Sequence, residues 1–328
     1  MNFQVILTSE GLLGSDCVEV AKTRQLVVIP FLCDVLTKAG NYCFEDKRFT
    51  GVIHAVHMER NCAYGKRYIS ICNLGARAFN KEMNMKLQGK VAIVTGGSRG
   101  IGRAIALVFA KEGARTVIAA RSMVETQKVA QEIQELKQEG LAMQIDVSKE
   151  QDVVRMVNQT LERFGTIDIL VNNAGINLPK RNVVDLTMKE WEQVLAVNLT
   201  GAFLATKAAL PTMMKRRRGK IINISSRGGR VGAAGRGPYR ASKAALINLT
   251  ETVASETREY GIAVNAICPG AVDTRMVDEI SLGRKAELGH LIHPDEIAKV
   301  ALFLASDDSS AISGTAIDAF GGTIAIFR

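Results

Sequence analysis

The stretch Lys90–Gly102, KVAIVTGGSRGIG, decides the fold. Lys90 to Val94 reads as a buried strand. A glycine turn follows. The apolar-periodic run IGRAIALVFAKEG then reads as a helix. Strand, glycine turn and helix aim helix N–H groups at a phosphate. Gly96, Gly100 and Gly102 leave out side chains where a backbone must approach a pyrophosphate, with Ser98, Arg99 and Ile101 between them. The spacing is G-x-x-x-G-x-G rather than the commoner G-x-G-x-x-G, so the turn alone is a weak signal.

Outward from this unit, strand-like and helical runs alternate, the pattern of a parallel sheet covered on both faces. Strands are expected at Thr116–Ala120, Ala142–Asp146, Ile169–Asn172, Ile221–Ile224, Ala263–Cys268 and Thr315–Asp318. Helices are expected at Thr126–Gln138, Gln151–Phe164, Tyr239–Tyr260 and Asp295–Ala305, with a long one from Lys189 to Met214 interrupted by Pro211. The fold class is therefore α/β: a Rossmann-like, doubly wound, seven-stranded parallel sheet with helices on both faces. Residues 1–84 lack this regularity and hold five of the six cysteines. They are read as an unassigned segment, either a leader or misassigned start ahead of Met83 or Met85, or a small extra domain. Residues 85–328 form the nucleotide-binding domain.

Composition narrows the classes. The 328 residues are 47% hydrophobic and 23% charged, as in a soluble globular protein. No uninterrupted apolar run reaches the roughly 18 residues of a membrane span, and neither a secretory signal nor an acid-poor transit peptide is evident. The expectation is a cytoplasmic protein with no membrane partner. The net charge of +9 suits an anionic cofactor or partner. Aromatics at 5% argue against a single-strand nucleic-acid binder, and the basic run Lys215–Arg218 suits a helix C-terminus. His54, His57 and Cys62 lack the paired spacing of a structural zinc site, so no metal is expected.

Further stretches strengthen the glycine signal. Asn172-Asn173-Ala174-Gly175 ends a strand, where open α/β sheets bind ligands. Ser226 follows the next strand. Tyr239 and Lys243 are four apart on one helix face, where an ammonium beside a phenol is expected to lower the phenol's pKa. Such a tyrosine passes a proton near neutral pH. The residue after the second strand, where NAD enzymes place an acid, is Arg121, and Arg99 stands in the glycine turn. Two guanidiniums there suit a 2′-phosphate, favouring NADP(H) over NAD.

Together, TGGSRGIG at Thr95–Gly102, Asp146-Val147, NNAG at Asn172–Gly175, Asn198, Ser226, Tyr239-x-x-x-Lys243 and Pro269-Gly270 resemble the classical short-chain dehydrogenase/reductase family, most nearly its 3-oxoacyl-acyl-carrier-protein reductases. The resemblance spans Lys86 to about Thr323. It implies hydride transfer between a nicotinamide cofactor and a carbonyl or secondary-alcohol carbon. Tyr239 would handle the oxygen proton and Ser226 would hydrogen-bond the substrate oxygen. Lys243 would hold ribose hydroxyls, and Asn198 would bind a water linking Lys243 to solvent. Asp146 and Val147 would flank the adenine, and Asp168 would brace the glycine turn. Asn173, Ala174, Gly175, Pro269, Gly270, Val272 and Thr274 complete the implied cofactor contacts.

The chain departs from the family at Ala319-Phe320-Gly321-Gly322, where many members carry V-D-G-G, and in a short Thr274–His293 segment for a substrate lid. The resemblance implies a homotetramer or homodimer. A sugar, polyol or other secondary-alcohol dehydrogenase is the alternative activity. A non-catalytic dinucleotide-binding regulator is disfavoured because Ser226, Tyr239 and Lys243 are all present. Arg227, Arg230, Arg236 and Arg240 gather with no acid between Ser226 and Arg240. They either read an anionic or carrier-bound small-molecule substrate, or face solvent or a neighbouring subunit.

Overall fold

A computed structural model describes residues 3–5, 57–60, 67–71, 85–281 and 291–321. The chain divides into two compact units, Met1–Asn84 and Met85–Arg328. In the first, β1 (Phe3–Val5), β2 (His57–Arg60) and β3 (Arg67–Ile71) form an antiparallel sheet in the order β1-β3-β2. No strands are expected there from periodicity, because runs of three to five residues are shorter than a reliable periodicity window. His54 and Cys62 lie outside the described residues.

The second unit is built on β4 (Val91–Thr95), β5 (Arg115–Ala120), β6 (Gly140–Gln144), β7 (Ile169–Asn172), β8 (Gly219–Ile224), β9 (Ile262–Pro269) and β10 (Ala316–Ala319). All pair in parallel, in the order β10-β9-β8-β7-β4-β5-β6. The expected seven-stranded, doubly wound sheet is present.

Strand alternation divides the core. Val117, Ile93, Leu170, Ile221 and Val264 stand in register across five strands and face one layer, holding α3 (Glu150–Phe164), α5 (Gly201–Arg216) and α6 (Gly237–Thr257). Val94, Ile118, Val171 and Ile222 face the other, against α1 (Gly100–Lys111), α2 (Met123–Glu135) and α8 (Pro294–Ala305). Each such side chain, fully buried, contributes about 1.5–3 kcal/mol.

Three local features differ from the sequence reading. First, α2 begins three residues early. Ser122 caps it, accepting from the Glu125 amide at 3.3 Å, and Lys137 takes a left-handed φ of 60° just past its end. Second, Pro211 does not interrupt α5, because Ala205, Ala209 and Met213 bury one helix face on both sides of it. Third, the change of geometry comes earlier, where a π-helical turn, Ala196–Thr200, joins α4 (Met188–Leu195) to α5. By length and composition Met188–Arg216 could cross a membrane. Its buried stripe on the sheet and α3 gives it the place of a core helix instead. In the short segment after Thr274, α7 (Arg275–Ser281) is described and residues 282–290 are not.

Candidate active site

The strand order reverses between β4 and β7, and the C-terminal ends of the strands open there onto a cleft of about 860 Å³. Open α/β sheets hold ligands at this point. Gly96 and Gly100 have left-handed φ values of 63° and 54°. A Cβ on Gly102 would lie 2.2 Å from the Gly96 carbonyl oxygen, so only glycine closes the turn. α1 starts at this turn without a side-chain cap or an acid in its first turn, leaving its N–H groups open to an anion.

Asn173, not Asp168, holds the glycine turn. Its Nδ2 donates to the carbonyls of Thr95 at 3.0 Å and Gly96 at 3.1 Å. Thr95 Oγ1 accepts in return from the amides of Asn173 and Ala174, at 3.0 and 3.2 Å. Asp168 stands at the opposite rim, five residues earlier and just before a strand that rises about 3.3 Å per residue. There it accepts from the Val91 amide at 2.9 Å and from Arg216 at 2.8 Å. Asn172 turns into the core, donating to Thr206 and Asn223.

At the end of the cleft beside the glycine turn, Ser98, Arg99, Arg121, Asp146 and Val147 line it. Burial pushes the Asp146 carboxyl up, but two hydrogen bonds from Ser148, with Lys149 and Arg121 nearby, outweigh it and hold the carboxyl below its usual range. Val147 packs where a Cβ on Gly201 would stand, 2.8 Å away, so α5 starts flush against it. Glu125 was missed by sequence reasoning. It lines the same cleft and accepts from the Ser98 hydroxyl at 3.1 Å. The available signal was Ser122-x-x-Glu125 immediately after β5, the pattern of a helix start.

At the other end Ser226, Tyr239 and Lys243 come together with Gly175, Pro269, Gly270, Val272 and Thr274. Ser226 Oγ accepts from the Gly228 amide at 3.0 Å, and it and Tyr239 Cε1 both lie 3.4 Å from where a Cβ on Gly228 would stand, so the serine stands beside the phenol ring. Lys243 is 4% exposed and donates to the Ile224 carbonyl at 2.7 Å. Burial lowers its pKa to about 8, against a smaller opposing effect of Cys268. Burial also pushes the Tyr239 phenol up, and Ser226, Arg240 and Arg236 oppose it without cancelling it. The expected depression of this phenol by Lys243 is not found. The ammonium is directed at Ile224 and lies 5.9 Å from the Tyr239 ring centre. The site thus holds a protonated phenol against a serine hydroxyl, an arrangement able to donate a proton to a carbonyl oxygen.

Asn198, on the π-helical turn, is buried. Its Oδ1 accepts from the Ile176 amide at 2.8 Å, and its Nδ2 donates to the Ile176 carbonyl at 3.0 Å and to Ser242 at 3.1 Å. That side chain therefore fixes the backbone beyond Gly175. Of the four loop arginines, Arg227, Arg236 and Arg240 line the cleft. Arg230 turns away, to Asp318 at 2.9 Å and the Ala316 carbonyl at 2.6 Å, and lies outside the substrate reading. Among the described residues no His/Cys/Asp/Glu group has a metal-holding arrangement.

Comparison with known proteins agrees with this geometry. The short chain dehydrogenase family matches residues 90–285. The 3-oxoacyl-[acyl-carrier-protein] reductase FabG of Thermotoga maritima is 38% identical over 73% of this chain and all of its own length. The (2S)-[(R)-hydroxy(phenyl)methyl]succinyl-CoA dehydrogenase subunit BbsD of Thauera aromatica is 37% identical, over 73% of this chain and 98% of its own. The crystal structure of the 3-ketoacyl-(acyl-carrier-protein) reductase of Brucella melitensis complexed with NADH superimposes with a TM-score of 0.68 at 35% identity, covering 72% of this chain and 98% of that one. The chain belongs to the short chain dehydrogenase family and is an NAD(P)H-dependent oxidoreductase that interconverts a carbonyl and a secondary alcohol.

Proposed function

We propose that the protein is an NADP(H)-dependent reductase of a small-molecule carbonyl substrate bearing an anionic or carrier-linked group. The observation that carries this reading is the gathering of Ser226, Tyr239 and buried Lys243 at the strand ends in one cleft with the glycine turn. The glycine cradle fits a dinucleotide, since side chains at Gly96 and Gly102 would collide with Asn173 and the turn itself. Gly96, Gly100, Gly102, Asn173, Ala174 and Gly175 would hold it, with Asp146 and Val147 at the adenine. Bound there, the cofactor supplies or accepts the hydride.

The chain's own residues do the rest. Tyr239 gives its phenolic proton to the substrate oxygen. Ser226 holds that oxygen and steadies the charge developing on it. Lys243 would hold ribose hydroxyls, and its ammonium, 5.9 Å from the Tyr239 ring centre, would return the proton through an intervening hydroxyl or water. Asn198 positions the Ile176 backbone and Ser242, and its remaining lone pair or its carbonyl is the place for a relay water.

Arg99 and Arg121 support NADP. Glu125 works against it, since a carboxylate beside the 2′-phosphate repels it, so NADH is expected to serve as a weaker cofactor. We place the chemistry in residues 85–328, in the cytoplasm, in a homotetramer or homodimer. The exposed Val183, Val184, Met188 and Phe203 support self-association. A sugar or polyol dehydrogenase is the second reading.

The test follows absorbance at 340 nm with a panel of 3-oxo thioesters, 3-oxo acids and neutral ketones, using NADPH and NADH. Turnover with NADPH ahead of NADH is expected. Arg121→Glu should weaken NADPH roughly ten- to a hundredfold more than NADH, the range for charge-assisted hydrogen bonds. No turnover with either cofactor across the panel would refute the reading.

A further inference from the structure

We infer that Arg230 is a positioning residue for the reaction: its guanidinium, spanning from the Ser226 turn to β10, sets where the Ser226 hydroxyl stands. This rests on the proposed role of Ser226 in holding the substrate oxygen.

The serine belongs to a small closed unit. β8 ends at Ile224, and Ser226 caps the 3-10 turn Arg227–Gly229. The Gly228 amide donates to Ser226 Oγ at 3.0 Å, the Gly229 amide to the Ser226 carbonyl at 2.8 Å, and the Arg230 amide to the Arg227 carbonyl at 3.0 Å. With those bonds made, the turn moves as one piece and carries Ser226 with it. Residues 231–234, which follow, are exposed.

The turn is held from two sides. One side is α6. A Cβ on Gly229 would stand 2.7 Å from the Lys243 carbonyl oxygen, so the turn lies flush on that helix. Ser225 Oγ donates to the same carbonyl at 2.8 Å, and Arg240 donates to the Val231 carbonyl. Among the described residues, the tie on the other side is Arg230. Its Nε donates to Asp318 Oδ1 at 2.9 Å and its Nη2 to the Ala316 carbonyl at 2.6 Å. β9 lies between β8 and β10 in the sheet, so the guanidinium joins two elements that no strand pairing joins. Two donors on two acceptors fix direction as well as distance. β10 meets the cleft a second time, where the Gly270 amide donates to the Ala319 carbonyl at 3.0 Å. One strand thus sets the Pro269–Gly270 wall and, through Arg230, the Ser226 turn.

Magnitudes decide where the loss of Arg230 shows. The Arg230 and Asp318 side chains are 29% and 37% exposed. An ion pair that open to solvent adds little to folding stability. Position matters more, because Ser226 and Tyr239 must meet one substrate oxygen together. A misplacement of about 1 Å costs roughly 10² in rate.

The experiment uses the full chain with NADPH and the ketone from the panel above that turns over fastest. It compares Arg230→Met, Asp318→Ala, Ser226→Ala and the double variant Arg230→Met/Ser226→Ala, read as single turnovers with enzyme in excess so that slow variants stay measurable. Arg230→Met and Asp318→Ala should each lower the rate roughly ten- to a hundredfold. The Kd for NADPH and the melting temperature should stay close to wild type. Arg230→Lys, which keeps the charge and a donor, should recover part of the rate. In the Ser226→Ala background, Arg230→Met should change the rate by less than about twofold, since its effect passes through the serine. Arg163→Met, which breaks an exposed pair with Glu139, should leave the rate as it is. If Arg230→Met fails to fold, the near-isosteric Asp318→Asn carries the same cycle. A wild-type rate in Arg230→Met, a full further loss in the Ser226→Ala background, or a melting temperature that falls in step with activity would overturn the positioning role and leave that of Ser226 intact. A wild-type rate in Ser226→Ala would overturn both.

Discussion

At the N-terminal rim of the central sheet, charges meet partners. Asp168 holds the Val91 amide and Arg216, Arg218 stands 3.7 Å from Asp307, and Lys220 donates to Ser309 at 3.2 Å. Arg217, in a left-handed turn with φ 50°, donates to the Glu259 carbonyl and lies over the Tyr260 ring. At the C-terminal rim of the same strands, Lys243 is buried with only a backbone carbonyl as its hydrogen-bond partner among the described residues. Burying a charge without a counter-charge is costly. One rim is therefore arranged for stability, and the other carries a buried ammonium at the cost of stability.

The sharpest way to break this contrast is at the proton donor. Tyr239→Phe removes one hydroxyl from the upper rim. Turnover should fall roughly 10²- to 10⁴-fold, the usual worth of a general acid. Thermal unfolding should barely move. A variant that keeps wild-type kcat would remove Tyr239 from the chemistry.

Lys243 sharpens the contrast through pH. Its folded pKa of about 8 lies below the ordinary 10.5. Between those values the unfolded lysine binds a proton that the folded one does not. Stability of the cofactor-free protein should therefore rise with pH across that window, by up to about 3 kcal/mol, and lack that gain below pH 8. Lys243→Met should flatten this rise and raise the melting temperature at neutral pH while abolishing turnover. A melting temperature that falls in Lys243→Met would show that the ammonium stabilises the apo fold.

The lower rim gives the converse and the smallest effect. Asp168→Ala strips the Val91 amide and Arg216 of their acceptor. It should cost about 2–3 kcal/mol of stability. The kcat of the folded fraction should stay the same, as urea unfolding and active-site titration would show. A selective loss of NADPH affinity would instead restore a link between Asp168 and the glycine turn.

The sequence made the fold readable because strands buried on both faces are continuous apolar runs, and VAIVT, ILVN and KIINI leave little else open. The glycines, Ser226, Tyr239 and Lys243 were readable because their chemistry restricts the residue type. What escaped depends on direction rather than identity. Asp168 and Asn173 are both polar residues near one strand, and only the strand's polarity tells which rim each serves. Arg230 and Arg227 look alike in the sequence, yet Asp318, eighty-eight positions from Arg230, draws one of them away. The rise in the Tyr239 pKa depends on burial, which no local pattern states. Glu125 is hidden because its helix starts at Met123, three residues before the expected Thr126.

The cross-stitch between Thr95 and Asn173 has a consequence for the order of folding. Its hydrogen bonds join residues 77 to 79 positions apart. Contacts of such span form only after a large loop has closed. The phosphate cradle therefore does not exist in a nascent β4–α1 unit, however complete its glycines. It comes into being when β7 docks beside β4, with β5, β6 and their helices already accommodated in the loop between. Nucleotide added during refolding should accordingly leave the early phases untouched and act only on the species that have passed this docking step.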